Sequence, residues 1–293
     1  TYRVINGVSL ASGDPVGRPE SWPDAVARWL VQAREFGWTP AVLGASEDGA
    51  RVFVEQGLRA INFGDEALLD AQHFDLRKLP QVRRAFQRVG RAGVECQIRR
   101  QDTIEPSELV EIVGFAEAWR GGEPDRGFSM ALNREQDPAD DQTLILTARD
   151  SSGALLGILS FVPWGRHGIS LDVMRRNPDA PNGLIEFMVA TLMGEISRLG
   201  IRRVSLNFCM FRSIYADSTR LGSGLVTKIN YSVLGTLDRF FQLERLYVSN
   251  QKFEPHWYPR FACLHDHVSL PQVALAAGMA EGFVPQMPWM NHT

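Results

Sequence analysis

A carboxylate and two guanidiniums stand close together in "SLDVMRRNPDAPNGLIEFM", residues 170–188. There the alternating run Ser170–Met174 gives way to a proline-punctuated turn and then to a helical pattern. Alternation places Asp172 on the face opposite Leu171 and Val173, because successive side chains of a strand point to opposite sides. Arg175 follows three residues later. In one reading these are solvated charges at a strand-to-helix junction, the usual place for charged loop residues. In the other, the carboxylate takes an ammonium while the guanidinium takes a phosphate or a carbonyl oxygen through charge-assisted hydrogen bonds.

Two further stretches carry charge in a suggestive order. "LERLYVSNQKFEPHWYPRF", residues 243–261, interleaves Lys252 and Arg260 with Phe253, Pro255, Trp257 and Pro259. It reads either as an edge loop with a solvated lysine and a satellite aromatic cluster, or as a rigid aromatic wall gripping a phosphate-bearing ligand. "LRKLPQVRRAFQRVGRAG" holds Arg77, Lys78, Arg83, Arg84, Arg88 and Arg91 with no acid among them. Arg84, Arg88 and Arg91 fall at helical i, i+4, i+7 spacing and form one cationic stripe. A solvated face is the ordinary explanation; a polyanion partner, RNA backbone or anionic lipid, is the other.

Other chemistries find no support. There is no GxSxG, P-loop or dinucleotide fingerprint. Among the six histidines only His265-Asp266-His267 comes near metal spacing, and Cys96, Cys209 and Cys263 are too scattered for a zinc site or disulfide framework. No metal is expected. The helix expected over 183–199 lacks the arginine-glycine-rich turn that coenzyme A pyrophosphate would need, so no cofactor is expected either.

The elements that must position these residues follow from periodicity. A strand is expected over Tyr2–Leu10, and a helix from Asp24 to Phe36 with Ala25, Trp29, Leu30 and Ala33 as its stripe. "TPAVLGA", "RVFVEQG" and "RAINFGDEALLDA" read as short strands. Residues 80–93 read as a basic helix, and "EPSELVEIVGFAEAWRGG" as a helix stopped by Gly121-Gly122. Beyond the polar loop "LNREQDPADDQ", "TLILTAR" and "ALLGILSFVPW" form a hairpin across Asp150–Gly153. Then come strand 167–174, helix 182–200, strand 202–211, a helix over Leu225–Phe241, strand 260–265 and helix 270–282. This order predicts an α/β (α+β) fold: tandem GNAT-type acyltransferase domains, each a mixed sheet flanked by helices. The expected division is 1–125, an N-terminal GNAT-like domain, and 126–293, a C-terminal one carrying the active site.

Composition bounds the partners. The chain has 293 residues, 44% hydrophobic and 22% charged, with a formal net charge of -3. Bulk charge therefore does not point to nucleic acid, and only local clusters can. No stretch is apolar enough for long enough to span a bilayer. The chain starts at Thr1, and a segment upstream of it is expected.

"SLDVMRRNPDAPNGLIEFM", "RRVSLNF", "LYVSNQKFEPHWYPRF", "SGDPVG", "HFDLRKLPQVRRAFQRVGRAG" and "FAEAWRGGEPDRGFSM", in that family's order from about Ser12 to Ala280, carry a resemblance. They resemble the soluble C-terminal domain of the aminoacyl-phosphatidylglycerol synthases, the phosphatidylglycerol lysyltransferase (multiple peptide resistance factor) family, in its actinobacterial form. The resemblance implies transfer of a lysyl or alanyl group from aminoacyl-tRNA to a hydroxyl of phosphatidylglycerol. It implies Asp172 and Arg175 as catalytic residues, and Lys252 and Arg260 as phosphate-holding residues, with Trp257 and Asn207 as further substrate contacts. Arg84, Arg88 and Arg91 remain candidates for polyanion binding. Where the family commonly has a lysine and an arginine three apart, this chain has Glu244 and Tyr247. The implied partners are phosphatidylglycerol or another anionic lipid, aminoacyl-tRNA, and the membrane surface, with a transmembrane region upstream. The implied location is the cytoplasmic face of the cell membrane. The alternatives are an extracytoplasmic or otherwise divergent transferase with another donor or acceptor, and a non-catalytic module that binds amino acids or lipids.

Overall fold

The computed structural model describes residues 2–121, 127–129, 137–210, 247–266, 268–282 and 284. The chain opens on a hairpin, β1 (Tyr2–Ile5) and β2 (Val8–Ser12), where one strand was expected. Asn6 and Gly7 both take positive φ, 49° and 72°, which is the backbone of the tight turn that Asn-Gly favours. Helix α1 (Trp22–Glu35) buries Val26, Leu30 and Ala33 and leads into β3 (Thr39–Ala45). The expected strand "RVFVEQG" is instead part of helix α2 (Glu47–Glu55). The Ser46 hydroxyl accepts the Gly49 N–H at 3.1 Å, Glu47 and Asp48 lie in the first turn, and Ala50 and Phe53 are buried on one face. Capping, the helix dipole and that stripe outweigh the β-propensity of Val52-Phe53-Val54.

Strand β4 (Arg59–Asp70), helix α3 (Pro80–Arg91), strand β5 (Glu95–Arg100) and helix α4 (Pro106–Arg120) follow, with Gly121 ending α4 in the left-handed region. Next come β6 (Leu144–Arg149), β7 (Leu155–Trp164), β8 (Gly168–Arg176), α5 (Leu184–Glu195) and β9 (Arg203–Met210). Residues 247–251 are helical, and β10 (His256–Leu264) and α6 (Leu270–Ala280) complete the order. The helix expected over Leu225–Phe241 lies outside the described residues.

Among the described residues ten strands form one mixed sheet, in the order β1-β2-β3-β10-β4-β9-β8-β7-β6-β5. The α+β class, a mixed sheet with helices on its faces, is as expected from the sequence. The two halves share that sheet and exchange strands across residue 125. Strand β10 lies between β3 and β4, antiparallel to both, and β5 pairs with β6. Helices α3 and α5 cover one face of β6–β9, where Val82, Val89, Leu146, Leu159, Phe161, Met188 and Leu192 are buried together. Helix α4 covers the opposite face through Ile112, packed with Ile145 and Ile158. Neighbouring residues along each strand thus feed two separate cores.

One clamp on α4 gives a pH-dependent prediction. Glu108 accepts hydrogen bonds from both terminal nitrogens of Arg99 on β5, at 2.6 and 2.7 Å, and lies near Arg149. The bidentate Arg99 guanidinium holds the Glu108 carboxyl below its ordinary value. A lowered folded-state value contributes stability above the unfolded value, and that stability is lost as pH falls through the folded one. Glu108→Gln should therefore cost about 1 kcal/mol at neutral pH, given the partial exposure of the pair. The difference from wild type should close in urea unfolding at acid pH; a difference that stays constant with pH would contradict this.

Candidate active site

Strands β8 and β9 run parallel, but their ladder pairs only Gly168, Ile169 and Ser170 with Arg203, Val204 and Ser205. Beyond Ser170 that pairing ends, and Asp172 stands in the segment that follows. On its other side β8 pairs with β7, and there Ser160 faces Val173 while Phe161 faces Leu171. Asp172 is therefore the extra residue of a β-bulge, a feature that re-aims a side chain and is over-represented beside active sites. The buried Ser160 hydroxyl accepts the Val173 N–H at 3.1 Å, satisfying a backbone donor beside the irregularity.

The bulge corrects the simple alternation expected of 170–174. Ser160 and Phe161 are adjacent on β7 and face opposite sides, so Leu171 and Val173 do too. Both are buried, and Asp172 between them is half-buried. The same register separates the two arginines. Arg175 pairs with Ile158 on the α4 side, and Arg176 lies on the side of α5. Arg175 is half-buried and donates to its neighbour's carbonyl, Met174 O, at 3.0 Å.

A second bulge lies opposite the first. On β9, Leu206 and Asn207 together face a single residue of β4, since Glu66 pairs with Phe208 and Leu68 with Ser205. Asn207 has φ 69°, a left-handed conformation that asparagine tolerates better than most residues. Its N–H donates to Ser205 Oγ at 3.1 Å, its Oδ1 accepts the Phe208 N–H at 2.8 Å, and its Nδ2 donates to Leu171 O at 3.3 Å. Asn207 thus reaches across where the ladder ends and holds the carbonyl just before Asp172.

Behind Asn207 is a buried ionic network that sequence reasoning missed. Ser205 donates to Glu66 Oε1 at 2.5 Å, and Glu66 forms an ion pair and hydrogen bond with Arg260 of β10. The two side chains are 8% and 14% exposed, so the pair is almost out of water. The network links β10, β4 and β9 to the strand carrying Asp172. Glu66 had one weak signal, a carboxylate inside the apolar run "NFGDEALL". Its partner lies 194 residues away, which no local pattern could show.

The structure sorts the remaining candidates. Lys252, grouped with Arg260 by the sequence motif, engages a different carboxylate: its Nζ donates to Glu186 Oε1 of α5 at 2.5 Å. Trp257 packs against the main core and against Tyr247, with 5.6 Å between ring centres. Glu244 lies outside the described residues. Arg84, Arg88 and Arg91 are all exposed on α3, whose buried face is Val82, Ala85 and Val89. Arg84 donates to Pro80 O at 3.2 Å, and Arg88 donates to Asn182 O, just before α5, at 2.6 Å. Chemically, the arrangement supplies a carboxylate on a bulged strand, hydrogen bonds that fix the backbone on either side of it, a half-buried guanidinium farther along the same strand and a buried ion pair behind. These are parts suited to orienting an already activated acyl group.

Comparison with known proteins agrees with the motifs. The family model for "Phosphatidylglycerol lysyltransferase, C-terminal" matches residues 1–264. The chain is 48% identical over 289 residues to the lysylphosphatidylglycerol biosynthesis bifunctional protein LysX of Nocardia farcinica, covering 98% of this chain and 26% of that protein. It is likewise 48% identical over 286 residues to the LysX of Rhodococcus opacus, covering 97% of this chain and 26% of that protein. The chain thus spans about a quarter of the length of these relatives. In fold it is similar to the C-terminal domain of a lysylphosphatidylglycerol synthetase from Agrobacterium fabrum, at TM-score 0.79 and 22% identity over 98% of this chain and 87% of that one. The same holds for L-PGS from Bacillus licheniformis, at TM-score 0.78 and 19% identity over 96% and 85%. With its matched motifs in order and most of its length covered by the model, the chain belongs to the phosphatidylglycerol lysyltransferase family, in its C-terminal region.

Proposed function

We propose that this chain transfers a lysyl group from lysyl-tRNA to a hydroxyl of phosphatidylglycerol at the cytoplasmic face of a membrane. Lysyl is preferred over alanyl because the relatives that align with nearly all of this chain are named for lysylphosphatidylglycerol. Among the described residues no helix is long and apolar enough to cross a membrane. Contact with the bilayer is therefore assigned to this chain's surface or to segments beyond it.

The observation that carries the reading is the bulged Asp172, braced by Asn207, on the strand that also bears Arg175. The aminoacyl ester is already activated, so transfer needs no covalent enzyme intermediate. The lipid hydroxyl oxygen attacks the ester carbonyl, a tetrahedral oxyanion forms, and the ester bond to the tRNA ribose breaks. The hydroxyl proton goes to the departing ribose oxygen. Asp172 would accept the hydrogen bond of the attacking hydroxyl and Arg175 would stabilise the oxyanion. Residues 126–293 supply both and form the catalytic unit in this reading, while the first half contributes Glu66 as a brace.

Mixing the chain with lysyl-tRNA or alanyl-tRNA and phosphatidylglycerol vesicles, then identifying the lipid by mass spectrometry, tests the proposal. Lysylphosphatidylglycerol is expected from the first mixture. No aminoacyl lipid from it would overturn the reading.

A further inference from the structure

At the start of α5 lies an open cavity of about 470 Å³ lined by Arg88, Arg176 and Lys252, which come from three separate parts of the chain. Lys252 is neutralised by Glu186. The other two cations face backbone instead: Arg88 donates to Asn182 O at 2.6 Å and Arg176 to Ala180 O at 3.3 Å. Among the described residues neither is paired with a carboxylate. The cavity thus keeps two uncompensated guanidiniums, each with further N–H donors to offer. The first turn of α5 also lines it, through Gly183, Leu184, Ile185 and Glu186, and the first N–H groups of a helix lack intrahelical partners.

The backbone is shaped to bring these groups together. Gly183 has φ 91°, and a Cβ there would meet Ala85 Cβ at 2.7 Å and Arg88 Nη2 at 2.9 Å. Only glycine lets α3 pack this closely on the start of α5 while Arg88 reaches across.

We infer that this cavity binds phosphodiester groups of an RNA strand, and that Arg88 and Arg176 are the residues that hold the aminoacylated end of tRNA. The inference rests on the reading of aminoacyl-tRNA as donor. Two observations favour RNA over a lipid headgroup. The apolar lining is limited to Ala85, Leu184 and Ile185, which offers no groove for acyl chains. Outside the cavity, exposed Arg83, Arg84 and Arg91 extend positive charge along the acid-free helix α3, a linear array that suits a repeating phosphate backbone. Arg176 lies four residues beyond Asp172 on the same strand, roughly 13 Å at strand rise. Beyond Ser170 strands β8 and β9 no longer pair, so an ester held on the α5 side would reach Asp172 and Arg175 through that opening in the sheet.

The test compares wild type with Arg88→Gln/Arg176→Gln and with Arg88→Lys/Arg176→Lys. Deacylated tRNA binding is measured across a salt series, and KM is measured separately for lysyl-tRNA and for phosphatidylglycerol vesicles. The Gln pair should raise KM for lysyl-tRNA by on the order of tenfold or more. It should lower the slope of log affinity against log salt by about 1.4, two contacts at about 0.7 each on a single strand. KM for the lipid should not move, and the Lys pair should recover the slope, which a merely misfolded variant could not. Unchanged tRNA affinity in the Gln pair overturns the inference. So does a rise in the lipid KM alone, which would assign the cavity to a headgroup, or a wild type that binds no tRNA. A wild type whose tRNA binding depends on the two arginines but which makes no aminoacyl lipid supports the inference and overturns the donor reading.

Discussion

Asp172→Asn should reduce transfer by roughly 10²- to 10⁴-fold, the usual range for loss of a positioned general base or acceptor. The isosteric amide keeps the shape of the bulge but cannot take the developing positive charge of an attacking hydroxyl. The loss should fall on kcat, with KM for lysyl-tRNA nearly unchanged, because the interaction strengthens only in the transition state. A rise in KM for lysyl-tRNA at constant kcat would instead give Asp172 the substrate ammonium. Stability should change by no more than about 1 kcal/mol, because Asp172 is half-buried and asparagine preserves the side-chain shape. Arg175→Ala should cost about 10²-fold or more in kcat through the lost oxyanion contact. Wild-type transfer by either variant, or unfolding by several kcal/mol, would remove these roles.

The second large effect belongs to Glu66. Glu66→Gln removes one partner of a buried ion pair and leaves Arg260 charged and uncompensated, at a cost of about 3–5 kcal/mol. Glutamine also has one acceptor oxygen where the carboxylate has two, so it cannot serve both Arg260 and Ser205, which positions the Asn207 N–H, and transfer should fall together with stability. Replacing both members, Glu66→Met with Arg260→Leu, separates the two effects. Apolar substitution of a whole buried pair is often neutral or stabilising, so folding should largely recover. Transfer should not recover if the network positions the Asp172 strand. A double variant with wild-type kcat would show that the pair serves stability alone.

Much of the fold was legible because it is written in local period and punctuation. The stripe of Ala25, Trp29, Leu30 and Ala33, of which Leu30 and Ala33 are buried, the hairpin at Asp150–Gly153 and the glycine stop at Gly121 each predicted the element found. The strand–helix order pointed to the fold class, and the motifs to the family. Residues 51–57 misled because a short Val-Phe-Val run satisfies strand propensity, while the deciding cap is Ser46, outside the run. Strand β5, with its polar alternation Glu95-Cys96-Gln97, gave no apolar signal and drew no expectation.

The site was legible in part. Motifs named Asp172, Arg175, Asn207, Lys252 and Arg260 as candidates, but not which of them stand against one another in the fold. The bulges at Asp172 and Asn207 are register shifts between strands, and a register is a property of pairs. The insertion of β10 between β3 and β4 joins residues about 200 positions apart, and it is this that sets Arg260 against Glu66 rather than beside Lys252. The arginine stripe was visible as spacing, whereas the turn of Arg88 toward Asn182, away from a uniform solvated row, depends on how α3 packs against α5.

The central claim, lysyl transfer from tRNA to phosphatidylglycerol through Asp172, is tested most directly by a single turnover. Radiolabelled lysyl-tRNA is mixed with excess enzyme and phosphatidylglycerol vesicles, and label is followed from RNA into lipid, with wild type beside Asp172→Asn. The account predicts label moving into lysylphosphatidylglycerol with wild type, and a rate at least about 10²-fold lower with the variant while tRNA remains bound. Label reaching lipid at equal rates with both proteins would contradict it.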